Sequence, residues 1–199
     1  KVWWDILKKP YVIGGEIYDN SGYEEETEWK FNRLFQGSQG KEDTGYWTPL
    51  LEEALAYAFF GSNQAEFEKP LKLKNVGKPM IKQALPTKDN KYLDLDTEYG
   101  ALVNPSQKVI FKPKRENVPR GQSHHRDIKY DFLPDSRVKE LAIDLLNEMN
   151  RFEGLKVDQQ WMDRMAHLQN SAGITTPEHF KVAEKHLKMM LEKYFGGFK

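Results

Sequence analysis

"RLFQGSQGKEDTGYWTPLLEEALAYA" occupies residues 33–58, and three local patterns follow one another within it. A short apolar stretch ends in Gln-Gly-Ser at 36–38, a polar loop follows, and an aromatic pair then leads to Thr48. From Leu51 onward, apolar residues recur at the spacing of an amphipathic helix. Thr48 is a suitable N-cap for that helix, and the proline after it suits the first turn. The stretch therefore predicts a strand, a polar loop and a helix that packs on a sheet.

Short strands are predicted on both sides of this stretch, in the part of the chain before Pro134. Apolar runs alternate there with Gly, Pro, Asn and Asp, which is typical of strands separated by turns. The runs are YVIGG (11–15), KFNRLFQG (30–37), YLDLD (92–96), GALVNP (100–105), KVIFKPK (108–114) and DIKYDFL (127–133). Residues 61–92 contain many lysines and three prolines, and they predict loops around one or two short helices.

The chain becomes helical in pattern after Pro134. Apolar stripes with helical spacing cover about 136–152, 157–170 and 177–195. These stripes carry too many large apolar side chains to stay in water, and no Gly/Ser-rich or Pro-rich spacer precedes them. We therefore expect an α+β fold with a strand-rich domain over 1–133. A helical extension over 134–199 is expected to pack on it or on a partner chain.

Composition excludes several classes of function. The 199 residues carry 30 Lys plus Arg and 30 Asp plus Glu, so the balance does not suggest a general polyanion binder. Cysteine is absent, which excludes disulfides, thiolate catalysis and zinc–thiolate sites. No apolar run is long enough to span a membrane, and no signal-peptide core is visible. A cytoplasmic protein, or one exported into a target cell, is expected. Because residue 1 is Lys and not Met, a segment of a longer protein is also expected.

The order of motifs in residues 33–58 resembles that of the ADP-ribosyltransferase-like superfamily, of the bacterial or phage toxin and effector type. In that family a first strand ends in an apolar-aromatic-[Arg or His]-Gly motif. A variable loop then leads to a Gly-aromatic-aromatic-Thr strand and a helix with the pattern A-x-x-Y-A, which is ALAYA at 54–58 here. The resemblance implies a small split antiparallel β-sheet core over about 31–133. Gln36 occupies the Arg or His position, and an amide brings no charge to a phosphate.

The resemblance also implies NAD as cofactor and a protein or nucleic-acid target that receives ADP-ribose, or hydrolysis of NAD. Glu98 is the best match to the family's catalytic carboxylate, which stabilises the oxocarbenium-like state as the nicotinamide–ribose bond breaks. Gln36 is the second catalytic candidate, placed to fix the adjacent ribose. The expected cofactor-binding residues are Gln36, Gly37, Tyr46, Trp47 and Thr48. An aromatic side chain at 46 or 47 would stack on nicotinamide, and Gly37 would let the dinucleotide approach the backbone.

Two other functions are compatible with this sequence. The first is a catalytically inactive member of the fold that serves as a protein-interaction module of a phage or bacterial protein. In that case Trp47 is a packing residue and Thr48 only an N-cap. The second is a small nuclease-type toxin, in which His124 and His125 act as general acid and base on a phosphodiester beside Arg120. Adjacent histidines do not converge on one centre, so no metal site is predicted.

Overall fold

The structure is a computed structural model, and it describes residues 11–13, 16–18, 33–40, 47–61, 71–75, 77–85, 87, 90, 92–94, 109–111, 128–150, 174 and 177–199. The strands in these ranges are β1 (Tyr11–Ile13), β2 (Glu16–Tyr18), β3 (Phe35–Gln39), β4 (Pro79–Leu85), β5 (Tyr92–Asp94), β6 (Val109–Phe111) and β7 (Lys129–Phe132). The helices are α1 (Leu51–Phe60), α2 (Asp135–Asn150) and α3 (Pro177–Phe195). The mixture of helix and strand confirms the α+β class.

The described strands form three small sheets. β1 pairs with β2 and β5 pairs with β6, both antiparallel. β3, β4 and β7 form a three-stranded antiparallel sheet with β4 in the centre. Two backbone bonds of 2.9 Å, from Ala84 N to Leu34 O and from Gly40 N to Lys78 O, fit one register of β3 against β4. That register therefore holds along the whole of β3 without a bulge.

Most of the predicted elements are confirmed. Strands lie within or overlap five of the six predicted runs, and the sixth, at 100–105, lies outside the described residues. The helices predicted over 136–152 and 177–195 are also confirmed, whereas the stripe at 157–170 lies outside the described residues. β2 and β4 were not predicted. β4 begins at Pro79, and the lack of a backbone N–H is tolerated at the first residue of a strand.

The chain divides into two compact units, which we call unit 1 and unit 2. Unit 1 comprises Lys1–Phe35, Asp43–Leu50 and Gln83–Asp131, and unit 2 comprises Gln36–Glu42, Leu51–Lys82 and Phe132–Lys199. In unit 1 a buried apolar cluster is formed by Leu34, Trp47, Ala84 and Ile128, with Tyr130 packed against it. In the same unit Phe35 and Thr48 exchange two backbone hydrogen bonds, of 2.7 and 2.8 Å. This pairing places an extended backbone at Thr48, shortly before α1.

Unit 2 is built around α1. Seven of its ten residues are buried, and both α2 and α3 pack on it as well as on each other. The buried side chains of α2 and α3 recur at helical spacing; they are Val138, Ala142, Leu145, Leu146 and Met149, and Phe180, Ala183, His186, Leu187, Met190 and Leu191. The helices that follow Pro134 therefore share one compact unit with α1. Among the described helices, none is both long and apolar enough to cross a membrane.

Candidate functional site

The two faces of β3 differ in what they meet within unit 2. A Cβ atom built on Gly37 would lie 1.8 Å from the carbonyl oxygen of Ala54 and 2.8 Å from the nitrogen of Ala58. The side-chain position of Gly37 therefore faces α1 at close range. Because successive side chains of a strand point to opposite faces, Gln36 and Ser38 point away from α1. Glycine at 37 is thus needed for the packing of helix on strand, a reason different from the close approach of a dinucleotide.

A row of polar side chains lies on the face of β3 and β4 that points away from α1. The register of these strands, fixed in unit 2 by the bond from Gly40 N to Lys78 O, places Lys82 directly opposite Gln36. Directly opposed residues share a face, with Cβ atoms roughly 5 Å apart. Ser38 lies two residues along β3 on the same face. We call Gln36, Ser38 and Lys82 the polar strip.

The polar strip is buried, and each of its side chains offers a hydrogen-bond donor, while Gln36 and Ser38 also offer an acceptor oxygen. Gln36, Ser38 and Lys82 are 2%, 4% and 8% exposed. They offer an amide, a hydroxyl and an ammonium group, which together suit an oxyanion. Among the described residues, the Ser38 hydroxyl has no hydrogen-bond partner. A buried hydroxyl without a partner is costly, so a strip of this kind needs a functional explanation.

The strip continues onto β7 and reaches the surface there. A 2.8 Å bond from Leu133 N to Ile81 O pairs β7 with β4, so that Phe132 lies opposite Lys82 on the same face. The Lys82 ammonium lies 6.0 Å from the centre of the Phe132 ring. Phe132 is 47% exposed. Lys82, which is 8% exposed as a whole, therefore has its charged end beside the exposed Phe132 ring.

On the opposite face of β3, the end of α1 is held by two side chains. The carbonyl oxygen of Phe59 accepts hydrogen bonds of 2.9 Å from Gln39 Nε2 and from His186 Nε2. The carbonyl can only accept, so His186 is assigned as the Nε2–H tautomer. Burial lowers the pKa of His186 below its usual value of 6.5, and the bond to Phe59 opposes this only in part. Folding therefore disfavours protonation of His186, and its bond to Phe59 gives it a structural role.

Two of the expected cofactor-binding residues lie in unit 1. Trp47 is 1% exposed in the apolar cluster, and its ring centroid is 6.5 Å from that of Tyr130. Thr48 is also buried, and its Oγ1 accepts a hydrogen bond of 3.1 Å from Leu50 N, one residue before α1 begins. The Thr48 side chain thus stabilises the turn into the helix, while its backbone pairs with Phe35.

The remaining predicted residues lie outside the described ranges. These are Tyr46, Glu98, Arg120, His124 and His125. Within the described ranges, no group of three His, Asp or Glu side chains is arranged to hold a metal ion.

Sequence reasoning missed two residues of this region, Lys82 and His186. Lys82 lies in a segment for which loops were predicted, and only the identification of β4 places it opposite Gln36. His186 lies three residues after the buried Ala183 and four before the buried Met190, a spacing that puts it on the apolar face of α3. Comparison with protein-family models, with curated proteins and with solved structures found no match.

Proposed function

We propose that this chain is an ADP-ribosyltransferase-like domain that binds NAD and transfers ADP-ribose to a protein or nucleic acid, or hydrolyses the cofactor. The observation that carries the proposal is the antiparallel pairing of Phe35 with Thr48, followed at once by α1. A strand that contains Gln36-Gly37, a paired aromatic-Thr segment and a helix containing ALAYA follow one another in the order that the resemblance implies, although β3 continues past Gly37 to Gln39. The contact between Gly37 and α1 supports the same arrangement of strand and helix.

The proposed chemistry assigns a role to each residue type. Loss of nicotinamide leaves positive charge on the ribose, and the carboxylate of Glu98 stabilises that charge. The amide of Gln36 donates to a ribose hydroxyl and so fixes the sugar for attack by an acceptor or by water. The nucleophile on the target displaces nicotinamide, and its proton passes to a base or to solvent. No step requires a metal ion.

A second candidate is the same fold without activity, acting as a protein-interaction module. It is favoured by the burial of Gln36, Trp47 and Thr48, which are 2%, 1% and 5% exposed. Side chains buried to this degree meet a ligand only if the atoms that cover them move. Gln36 also lacks the charge of the Arg or His expected at its position. These features describe a domain that keeps the fold and has lost the cofactor.

The deciding experiment incubates the protein with NAD labelled in the adenylate half. Free nicotinamide is measured, together with label on protein and RNA acceptors. The active domain releases nicotinamide, and Glu98→Ala abolishes release while NAD still binds by calorimetry. Glu192→Ala, at an exposed position of α3, is the matched control and keeps wild-type turnover. Wild-type protein that neither binds NAD nor releases nicotinamide would overturn the proposal of an active domain.

A further inference from the structure

The polar strip can supply the positive charge that Gln36 does not bring to the proposed NAD site. In the family that the sequence resembles, the position occupied by Gln36 holds an Arg or His. Gln36 is neutral and brings no positive charge to that position. The pyrophosphate of NAD carries negative charge and needs a nearby cation or several convergent donors. The register of the sheet supplies a cation from the neighbouring strand, because Lys82 stands directly opposite Gln36 on the same face.

We propose that Lys82, together with Gln36 and Ser38, is an anion-binding site that takes the pyrophosphate of a dinucleotide. The identity of the ligand rests on the proposed function, whereas the presence of an anion site rests on the strip alone. Lys82 contributes the charge, as an ammonium group that binds phosphate as a point charge. Ser38 contributes a hydroxyl that is 4% exposed and has no hydrogen-bond partner among the described residues.

Lys82 lies beside the exposed ring of Phe132, so a ligand is expected to enter there once the atoms that cover the strip move. Its ammonium lies 6.0 Å from the centre of the Phe132 ring, and that ring is 47% exposed. Phosphate therefore approaches along the Phe132 edge of the strip, because Phe132 is the exposed side chain beside the ammonium of Lys82. The exposed ring also offers a flat surface for a planar group attached to the phosphates.

Titration calorimetry on the full chain tests the proposal, with NAD and inorganic pyrophosphate as separate ligands. Loss of a charged hydrogen bond predicts that Lys82→Gln weakens the binding of both ligands about 10- to 100-fold. Lys82→Arg keeps the charge and retains most of the affinity. Ser38→Ala loses about 2- to 10-fold, as for a neutral donor. Lys129→Gln, at an exposed position of β7, makes the same change of charge and serves as the control.

The outcomes separate the anion site from the proposed function. If the wild type binds NAD and only the Lys82 and Ser38 variants lose affinity, both are supported. If NAD affinity in Lys82→Gln equals that of the wild type, the anion site is wrong and NAD binding stands. If pyrophosphate binds through Lys82 and NAD does not, the anion site is right and the proposed function is wrong. Absence of binding by either ligand overturns both. Thermal unfolding of each variant excludes loss of fold as the cause, and Ser38→Ala carries the test if Lys82→Gln unfolds.

Discussion

Replacing Gly37 with alanine is the sharpest test of how α1 packs on β3. The added Cβ would lie 1.8 Å from the carbonyl oxygen of Ala54, 2.7 Å from its carbonyl carbon and 2.8 Å from the nitrogen of Ala58. All three atoms belong to the helix backbone, so no side-chain rotation relieves the clash. Real Cβ contacts do not fall below 3.0 Å, so strand and helix must separate by at least 1.2 Å, the difference between 3.0 and 1.8 Å.

The loss in free energy of unfolding depends on the contacts that are disrupted when α1 and β3 move apart. α1 also packs on α2 and α3, so it cannot retreat from β3 without disturbing those contacts. Ala54 and Ala58 are fully buried beneath the strand, and a gap there loses close packing on both sides. Overpacking of a tight core costs 1–3 kcal/mol and occasionally more. Since the clash is with backbone, we expect Gly37→Ala to lower the free energy of unfolding by about 3 kcal/mol or more.

Urea denaturation and thermal unfolding measure this loss directly. A change of that size corresponds to a fall in Tm of about 6–12 °C for a chain of this length. Gly61→Ala is the control, because a Cβ at Gly61 meets nothing within 4 Å, and its cost comes only from the backbone φ of 69°. That conformational cost is about 1–2 kcal/mol. A Gly37→Ala protein no less stable than Gly61→Ala would refute the close approach of α1 to β3.

Two other substitutions give distinct results. The pKa of His186 is lower in the folded protein than in the unfolded chain, so the unfolded chain binds a proton more readily. The free energy of unfolding is therefore fully retained above pH 6.5, the usual histidine pKa, and decreases as the pH falls below it. His186→Gln keeps a donor for Phe59 and cannot titrate, so it should remove this part of the pH dependence in urea titrations at several pH values; an unchanged profile contradicts the assignment. Trp47→Ala should lower the free energy of unfolding by about 3–5 kcal/mol, because the fully buried indole fills an apolar cluster. NAD affinity retained in Trp47→Leu, which removes the aromatic face but keeps an apolar side chain, would show that the indole is a packing residue and not a nicotinamide platform.

The sequence predicted the elements whose period is long and regular. α2 and α3 each carry an apolar stripe over at least four turns, and their bounds agree with prediction to within two residues. β4 was missed because its flanking prolines and its lysine are typical of loops. Its burial does not alternate strictly, because Ile81 and Lys82 are both buried, and a run of seven residues that begins with proline gives a weak signal. β4 is a central strand because it pairs with β3 and β7. The local sequence of a segment does not show which distant segment it will pair with.

One residue of the candidate site, Gln36, could be predicted from the local sequence, whereas Lys82 could not. Gln36 stood out because a polar side chain closes an apolar strand, and the motif order made it a ligand candidate. Lys82 lies 46 positions further on, and nothing local connects the two residues. Strand register brings them together, since a shift of one residue would turn every side chain of β4 to the other face. Residue types can therefore be proposed from sequence, whereas the partner across the sheet requires the structure.

The alternation along β3 offers a final test that separates stability from binding. Gln36 and Gln39 are both buried amides on one short strand, and they point to opposite faces. Gln39 donates to Phe59, so Gln39→Ala should lower the free energy of unfolding by about 1 kcal/mol and leave NAD affinity unchanged. Gln36→Ala should weaken NAD binding, because its side chain lies in the polar strip opposite Lys82. Calorimetry and urea denaturation on both variants compare the two effects. Equal losses of NAD affinity would mean that binding follows the stability of the strand, and the polar strip would then not be the site of contact.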